Sequence, residues 1–239
     1  MKHIIIAVTA LVFLLPSYGQ AQEVKTNPEI IAVVLGKKIT VAEKDRLNGL
    51  IFGAILEKFA KDNKIEATEE ELGAFVKKMV ESKKEMRAES ERERDKLKKQ
   101  LKSTSLSDEE RKKKESMLEE VVSDLKSMLE APEEAKMINA DMLQIAQGFV
   151  QPWKVNKALY KKYGGRVIFQ QAGVEPLDAY LELLKDQERA GAFKIIDKKY
   201  EAGFWRYFTN DAMHTFLDKE EATKAFDTPW WLMEKPAEK

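Results

Sequence analysis

The sequence contains no cysteine, and this absence excludes several kinds of chemistry at once. Disulfide bonds, a lipid anchor on cysteine and a cysteine nucleophile all need that residue. Histidine is almost absent as well, because the 239 residues include two, His3 and His214. A zinc site of histidine and cysteine ligands therefore cannot be assembled. We expect no metal and no cofactor.

The chain also lacks an excess of charge of either sign. Lysine and arginine number 41, aspartate and glutamate number 41, and the formal net charge is zero. Proteins that bind nucleic acid normally need a basic surplus against the phosphates, so we expect no nucleic-acid partner. Hydrophobic residues make up 44% of the chain, which is enough to bury a core.

No apolar run is long enough to cross a bilayer, which takes about 20 residues. The longest, Ile4–Leu15, follows a basic start and ends at Pro16. Gly19 and Ala21 then match the small-residue rule for signal peptidase. We therefore interpret residues 1–21 as a signal peptide cleaved after about Ala21, and we expect a soluble periplasmic protein without stable membrane insertion. Cleavage after Gly19 and an uncleaved anchor are the alternatives.

Residues 22–80 form the first segment of the expected mature chain. The apolar run Ile30–Leu35, bounded by Gly36, predicts one buried strand. A capping box at Thr40–Glu43 then predicts a helix that stops near residues 62–63. A second capping box at Thr68–Glu71 predicts the next helix.

Residues 81–130 are dominated by charge and are typical of a solvated helix. Ser103–Ser105 interrupts the pattern, and a third capping box at Ser107–Glu110 starts a return helix with an apolar stripe. We expect an antiparallel helical hairpin that protrudes as a charged arm. A disordered charged insert is the alternative.

Residues 131–239 are rich in aromatic residues, and we expect them to pack on the N-terminal segment. Gly164-Gly165 predicts the end of a long helix. Short strands are expected at Val167–Phe169 and Phe193–Ile196, and Asp197 and Asp218 are expected to cap later helices. The fold class is therefore mainly α, with one or two short β-strands and the protruding hairpin.

The ordered set of motifs in residues 30–80 resembles the N-terminal module of SurA-type periplasmic chaperones and PrsA-like foldases. It runs from the strand and its glycine turn through Lys38-Ile39-Thr40 to Lys64–Thr68 and Glu69–Leu72. The resemblance implies a mainly helical cradle that transiently holds unfolded or partly folded envelope proteins. The parvulin domain of many such proteins has no counterpart here, so we expect no prolyl isomerase activity.

The resemblance also implies an apolar surface for clients, and one leucine and six aromatic residues are its candidates. They are Leu50, Phe59, Phe149, Trp153, Tyr160, Phe204 and Trp205, with Met79 and Met142 as adaptable neighbours. A core role is the alternative for each of them.

Two other functions stay open. The charged arm suits an adaptor that docks one partner, and Asp197, Glu201 and Arg166 suit a carboxylate-dependent envelope hydrolase. The oligomeric state is not indicated.

Overall fold

The computed structural model describes residues 29–129, 139–170 and 173–233. The expected signal peptide and the stretch that follows it, residues 1–28, lie outside the described residues. Residues 130–138, 171–172 and 234–239 lie outside them too.

The described chain is mainly α-helical, as the sequence predicts. Its α-helices are α1 Leu47–Asp62, α2 Glu69–Leu101, α3 Asp108–Leu129, α4 Ala140–Tyr163, α5 Leu177–Arg189, α6 Glu201–Thr209 and α7 Lys219–Asp227. Its strands are β1 Ile30–Val34, β2 Lys37–Thr40, β3 Ile168–Gln170, β4 Gly173–Glu175 and β5 Phe193–Ile195. The predicted strands Ile30–Leu35, Val167–Phe169 and Phe193–Ile196 agree with β1, β3 and β5 to within one residue at each end, whereas β2 and β4 were not predicted. Strands of three to five residues are too short to show a clear alternation of apolar and polar side chains.

β1 and β2 form a hairpin, although the sequence predicts only the first of these two strands. Leu35 and Gly36 connect the strands with φ values of 48° and 79°, the positive pair that a tight two-residue hairpin turn requires. The capping box is confirmed, since the Thr40 backbone N–H donates to the Glu43 carboxylate at 3.0 Å. It begins a 3-10 helix, Val41–Arg46, and α1 follows directly.

A three-stranded antiparallel sheet joins the first strands of the described chain to β5, more than 150 residues later in the sequence. The strand order is β2-β1-β5, and Ala32 in the central strand faces Ile195 in β5. The buried side of α1 covers this sheet with Ile51, Ile55 and Phe59, which recur at intervals of one turn. Residues far apart in sequence thus share one apolar core.

The charged region forms the expected helical hairpin. α2 has 33 residues and is about 50 Å long at 1.5 Å per residue. The Arg111 side chain donates to the Leu101 carbonyl at 2.9 Å and ties the start of α3 to the end of α2. Leu97 and Leu125 are buried along the hairpin, and α3 packs chiefly on α2. We call residues 81–129 the arm.

Among the described residues, no helix is long and apolar enough to span a membrane.

Candidate functional site

The seven candidate client residues do not form one surface. Four belong to the main core, namely Leu50, Phe59, Phe204 and Trp205. Trp153 and Tyr160 pack in a second cluster with α7, and Phe149 packs in a third with α2. Phe59 is 6% exposed and Phe204 is fully buried, so both pack in the interior of the folded protein. The two adaptable methionines, Met79 and Met142, pack against the third cluster.

The third cluster lies where the arm joins the rest of the protein. Phe75 of α2 stacks on Phe149 of α4, with ring centroids 5.4 Å apart. The C-terminal 3-10 helix Trp230–Leu232 closes over this pair. The ring centroids of Trp231 and Phe75 are 5.1 Å apart, and those of Trp230 and Phe149 are 5.9 Å apart. Both pairs are edge-on. Aromatic pairs at these distances and angles are favourable.

Polar contacts hold the first turn of α2, and the residues just before it, on α4. The carboxamide of Gln151 accepts from the Ala67 backbone N–H and donates to the Ile65 carbonyl, both at 2.7 Å. Lys154 forms an ion pair with Glu71 at 2.7 Å. Burial alone would raise the pKa of Glu71, but hydrogen bonds from Lys154 and Thr68 outweigh it and lower the pKa. Glu71 therefore stays ionised and paired at neutral pH.

An open groove of about 560 Å³ runs along α2 beside the C-terminal tryptophans, and we call it the α2 groove. Its lining residues are Phe75, Lys78, Met79, Ser82, Lys83, Glu85, Met86, Trp230, Trp231 and Met233. Three of them are methionines and three are aromatic. Met86 is 49% exposed although its side chain is apolar. The floor is thus apolar and adaptable, and the rim is charged.

A second hollow of about 560 Å³ continues the groove along the arm. It is lined by Met86, Glu89, Ser90, Arg92, Glu93, Lys96 and Val121, so Met86 belongs to both. A subset of the α2 lining residues follows in alternating steps of four and three, which places these side chains on one face of the helix: Phe75, Met79, Ser82, Met86, Glu89, Glu93 and Lys96. Lys96 lies 21 residues after Phe75, so at about 1.5 Å per residue this face of the helix is about 30 Å long.

Local ion pairs neutralise much of the charge beside the groove. Lys78 pairs with Glu81 at 3.5 Å, and Lys96 pairs with Glu93 at 3.1 Å. The groove therefore carries no strong field of one sign that would select a highly charged ligand. Its apolar floor and its length favour binding of an unfolded or helical protein segment.

Sequence reasoning missed most of this groove. Trp230 and Trp231 lie in the aromatic-rich region that was expected to pack on the N-terminal segment, and they were not among the candidate client residues. Two features of the sequence could have indicated the groove. Met86 is an isolated apolar residue in a highly charged helix, and Phe75, Met79 and Met86 follow each other at helical spacing.

Each of the three residues proposed for a hydrolase forms ion pairs with other residues rather than with one another. Asp197 pairs with Lys199 at 2.6 Å, and Glu201 pairs with Lys198 at 3.0 Å. Arg166 binds Asp178 and also Asp211, at 3.0 and 2.6 Å. The hydrogen bonds that the Arg166 guanidinium donates to Asp178 and Asp211 raise the pKa of Arg166 further above its already high ordinary value.

The described residues contain no group of three histidine, aspartate or glutamate side chains placed to hold a metal ion. Comparison of the chain with protein-family models, with curated proteins and with solved structures gives no significant match. The resemblance to SurA-type chaperones therefore stays a prediction from the residues.

Proposed function

We propose that this protein is a non-enzymatic, chaperone-like protein of the bacterial periplasm. It transiently holds unfolded or partly folded envelope proteins, and the α2 groove is its client surface. The observation that carries the proposal is the solvent-open floor of methionine and tryptophan at the base of the arm.

Side-chain chemistry supports a surface that accepts many sequences. Methionine is unbranched and polarizable, so Met79, Met86 and Met233 can repack around different apolar side chains. Trp231 supplies a large apolar area with a fixed position, because it packs on Phe75 and Trp153. Adaptable contacts around a rigid aromatic residue suit weak and reversible binding.

An aggregation assay tests the proposal. The protein without residues 1–21 is mixed with a urea-unfolded outer-membrane protein, and light scattering is followed on dilution. We expect the scattering to be suppressed near equimolar protein. Unchanged aggregation at a large excess would refute the holding function.

Two exposed methionines of the arm provide a matched pair of variants. Met86 lines the groove, whereas Met117 is 41% exposed and does not line it. We expect Met86→Glu to weaken holding roughly tenfold, since it places a charge on the apolar floor. Met117→Glu carries the same charge on the same arm and should hold like the wild type. An equal effect of both would show that the groove is not the site.

An adaptor function is the second candidate, and the continuation of the groove along the charged arm favours it. A single partner that docks there would depend on charged side chains far from the tryptophans. Glu89→Lys changes such a side chain and leaves Met86 in place. Loss of one stoichiometric partner in periplasmic cross-linking, with holding intact, would identify an adaptor. Loss of holding by Met86→Glu, with Glu89→Lys unaffected, identifies the chaperone.

A further inference from the structure

A separate cavity of about 300 Å³ lies between α1, α4, β4 and α5, away from the α2 groove. Its apolar walls are Leu56, Ala60, Pro152, Val155 and Val174. A volume of 300 Å³ is at the lower end of the range for small-molecule sites. The cavity therefore has room for a compact ligand with an apolar body.

The polar groups in this cavity are held in fixed positions. Asn156 is 7% exposed, and its Oδ1 accepts from the Tyr180 hydroxyl at 2.7 Å. Its Nδ2 donates to the Val174 carbonyl at 2.8 Å. Burial raises the pKa of Tyr180 well above its ordinary value, so the hydroxyl stays neutral and keeps donating. This side of the cavity presents a rigid, uncharged wall.

Glu175 is the exception, because it brings a carboxyl group to a lining that is otherwise mostly apolar or amide. The Tyr207 hydroxyl donates to Glu175 Oε2 at 2.6 Å and fixes the orientation of the carboxylate. Within the described ranges no lysine, arginine or histidine forms an ion pair with it. The other acidic residue of the cavity, Glu57, is paired with Lys61 at 2.6 Å.

The lining of the cavity includes no lysine and no arginine. A half-buried carboxylate without a cationic partner is costly, and a bound cation removes that cost. An apolar ligand body would at the same time fill the space beside Val155 and Val174. A ligand that meets both requirements is small, carries a positive charge and has an apolar body.

We propose that this cavity binds a small organic cation, with an ammonium group on Glu175 and an apolar body against the walls formed by α1 and α4. The proposal goes beyond client holding and does not depend on it. The site lies between α1, α4, β4 and α5, whereas clients are assigned to the groove along α2.

Two probes of nearly equal shape test the charge requirement. The amine 2-phenylethylamine is a cation at pH 7, and 2-phenylethanol is its neutral counterpart. Isothermal titration of the wild-type protein should give binding of the amine that is at least about tenfold tighter, which corresponds to one charge-assisted hydrogen bond. Equal affinities, or no binding of the amine at millimolar concentration, would overturn the proposal.

Three variants locate the site. Glu175→Gln should lose about tenfold in amine affinity and should not change the affinity for the alcohol. Glu182→Gln removes an exposed carboxylate of α5 outside the cavity and should bind like the wild type. Met86→Glu should also bind like the wild type, and an effect of this variant would place the amine in the α2 groove instead. If Glu175→Gln does not fold, the affinities of the wild-type protein for the two probes still test the proposal.

Discussion

The indole of Trp230 lies directly on the backbone of Gly173. A Cβ added to this glycine would be 2.8 Å from Trp230 Nε1 and 2.9 Å from Cδ1, closer than atoms can approach without movement. Gly173 also has φ +117°, a conformation that favours glycine. The first residue of β4 thus fixes one of the two tryptophans that form the α2 groove.

Gly173→Ala should therefore destabilise the protein. We expect a loss of about 1–3 kcal/mol in the free energy of unfolding, from the backbone conformation and from displacement of the indole. Urea unfolding followed by circular dichroism measures it. Gly53→Ala is the control, because nothing lies within 4 Å of a Cβ at this position in α1. Alanine is the better helix former, so the control should be neutral or more stable by up to about 1 kcal/mol. Equal losses in both variants would contradict the contact.

Asp178 should make stability depend on pH in the acid range. Burial alone would raise its pKa, but hydrogen bonds from the Arg166 side chain and backbone outweigh it and hold the pKa below the ordinary value. The unfolded chain therefore binds a proton at a higher pH than the folded one. The stabilisation is complete above about pH 4, the ordinary range of an aspartate, and is lost as the pH falls through the lower folded pKa.

Asp178→Asn should remove this dependence. We expect a loss of about 1–2 kcal/mol at pH 7, because the Asp178 side chain is 28% exposed and solvent screens the pair only in part. The difference between variant and wild type should shrink as the pH is lowered towards 3. Asp124→Asn, at an exposed position of α3, should follow the wild-type curve at every pH. A constant difference across the titration would show that the Asp178 charge is not responsible.

Helix starts could be predicted from the sequence because they depend on residues three apart. At the start of α2, the Thr68 N–H donates to Glu71 at 2.7 Å and the Glu71 N–H donates to Thr68 Oγ1 at 3.2 Å. Asp218 and Glu221 repeat the arrangement at α7, at 3.2 and 2.8 Å. β2 shows the opposite case. Its two lysines look like part of a loop, and the strand exists because β1 pairs with it.

The candidate site was less predictable, because apolar spacing does not show which element covers an apolar face. Phe204 and Phe75 both lie in amphipathic helices and both are buried. Phe204 faces the main core, whereas Phe75 is covered by Trp230 and Trp231 from about 155 positions away. Which side of that contact stays open to solvent depends on tertiary packing. No local pattern in the sequence contains that information.

The hydroxyl of Tyr180 should contribute to stability through Asn156. Tyr180→Phe keeps the ring and its edge-on contact with Phe52, 4.8 Å between centroids, but leaves Asn156 Oδ1 without its donor. A buried acceptor without a partner costs about 1–3 kcal/mol, and we expect a loss of that size in urea unfolding. In Tyr163→Phe, by contrast, the released acceptor Asp186 is solvent-accessible. That control should lose less than about 1 kcal/mol, and an equal loss would show that burial of the acceptor is irrelevant.

The arm should unfold locally without the rest of the protein, because α3 packs chiefly on α2. Leu97 is 2% exposed, and Leu97→Ala should destabilise the hairpin by about 2–4 kcal/mol. Hydrogen exchange resolved by residue should show faster exchange along α3 and the distal part of α2. Amides of β1 should keep wild-type protection, since they belong to the sheet with β5. Met117→Ala changes an exposed side chain of α3 and should leave both regions unchanged. Faster exchange in β1 of the Leu97→Ala variant would mean that arm and core unfold as one unit.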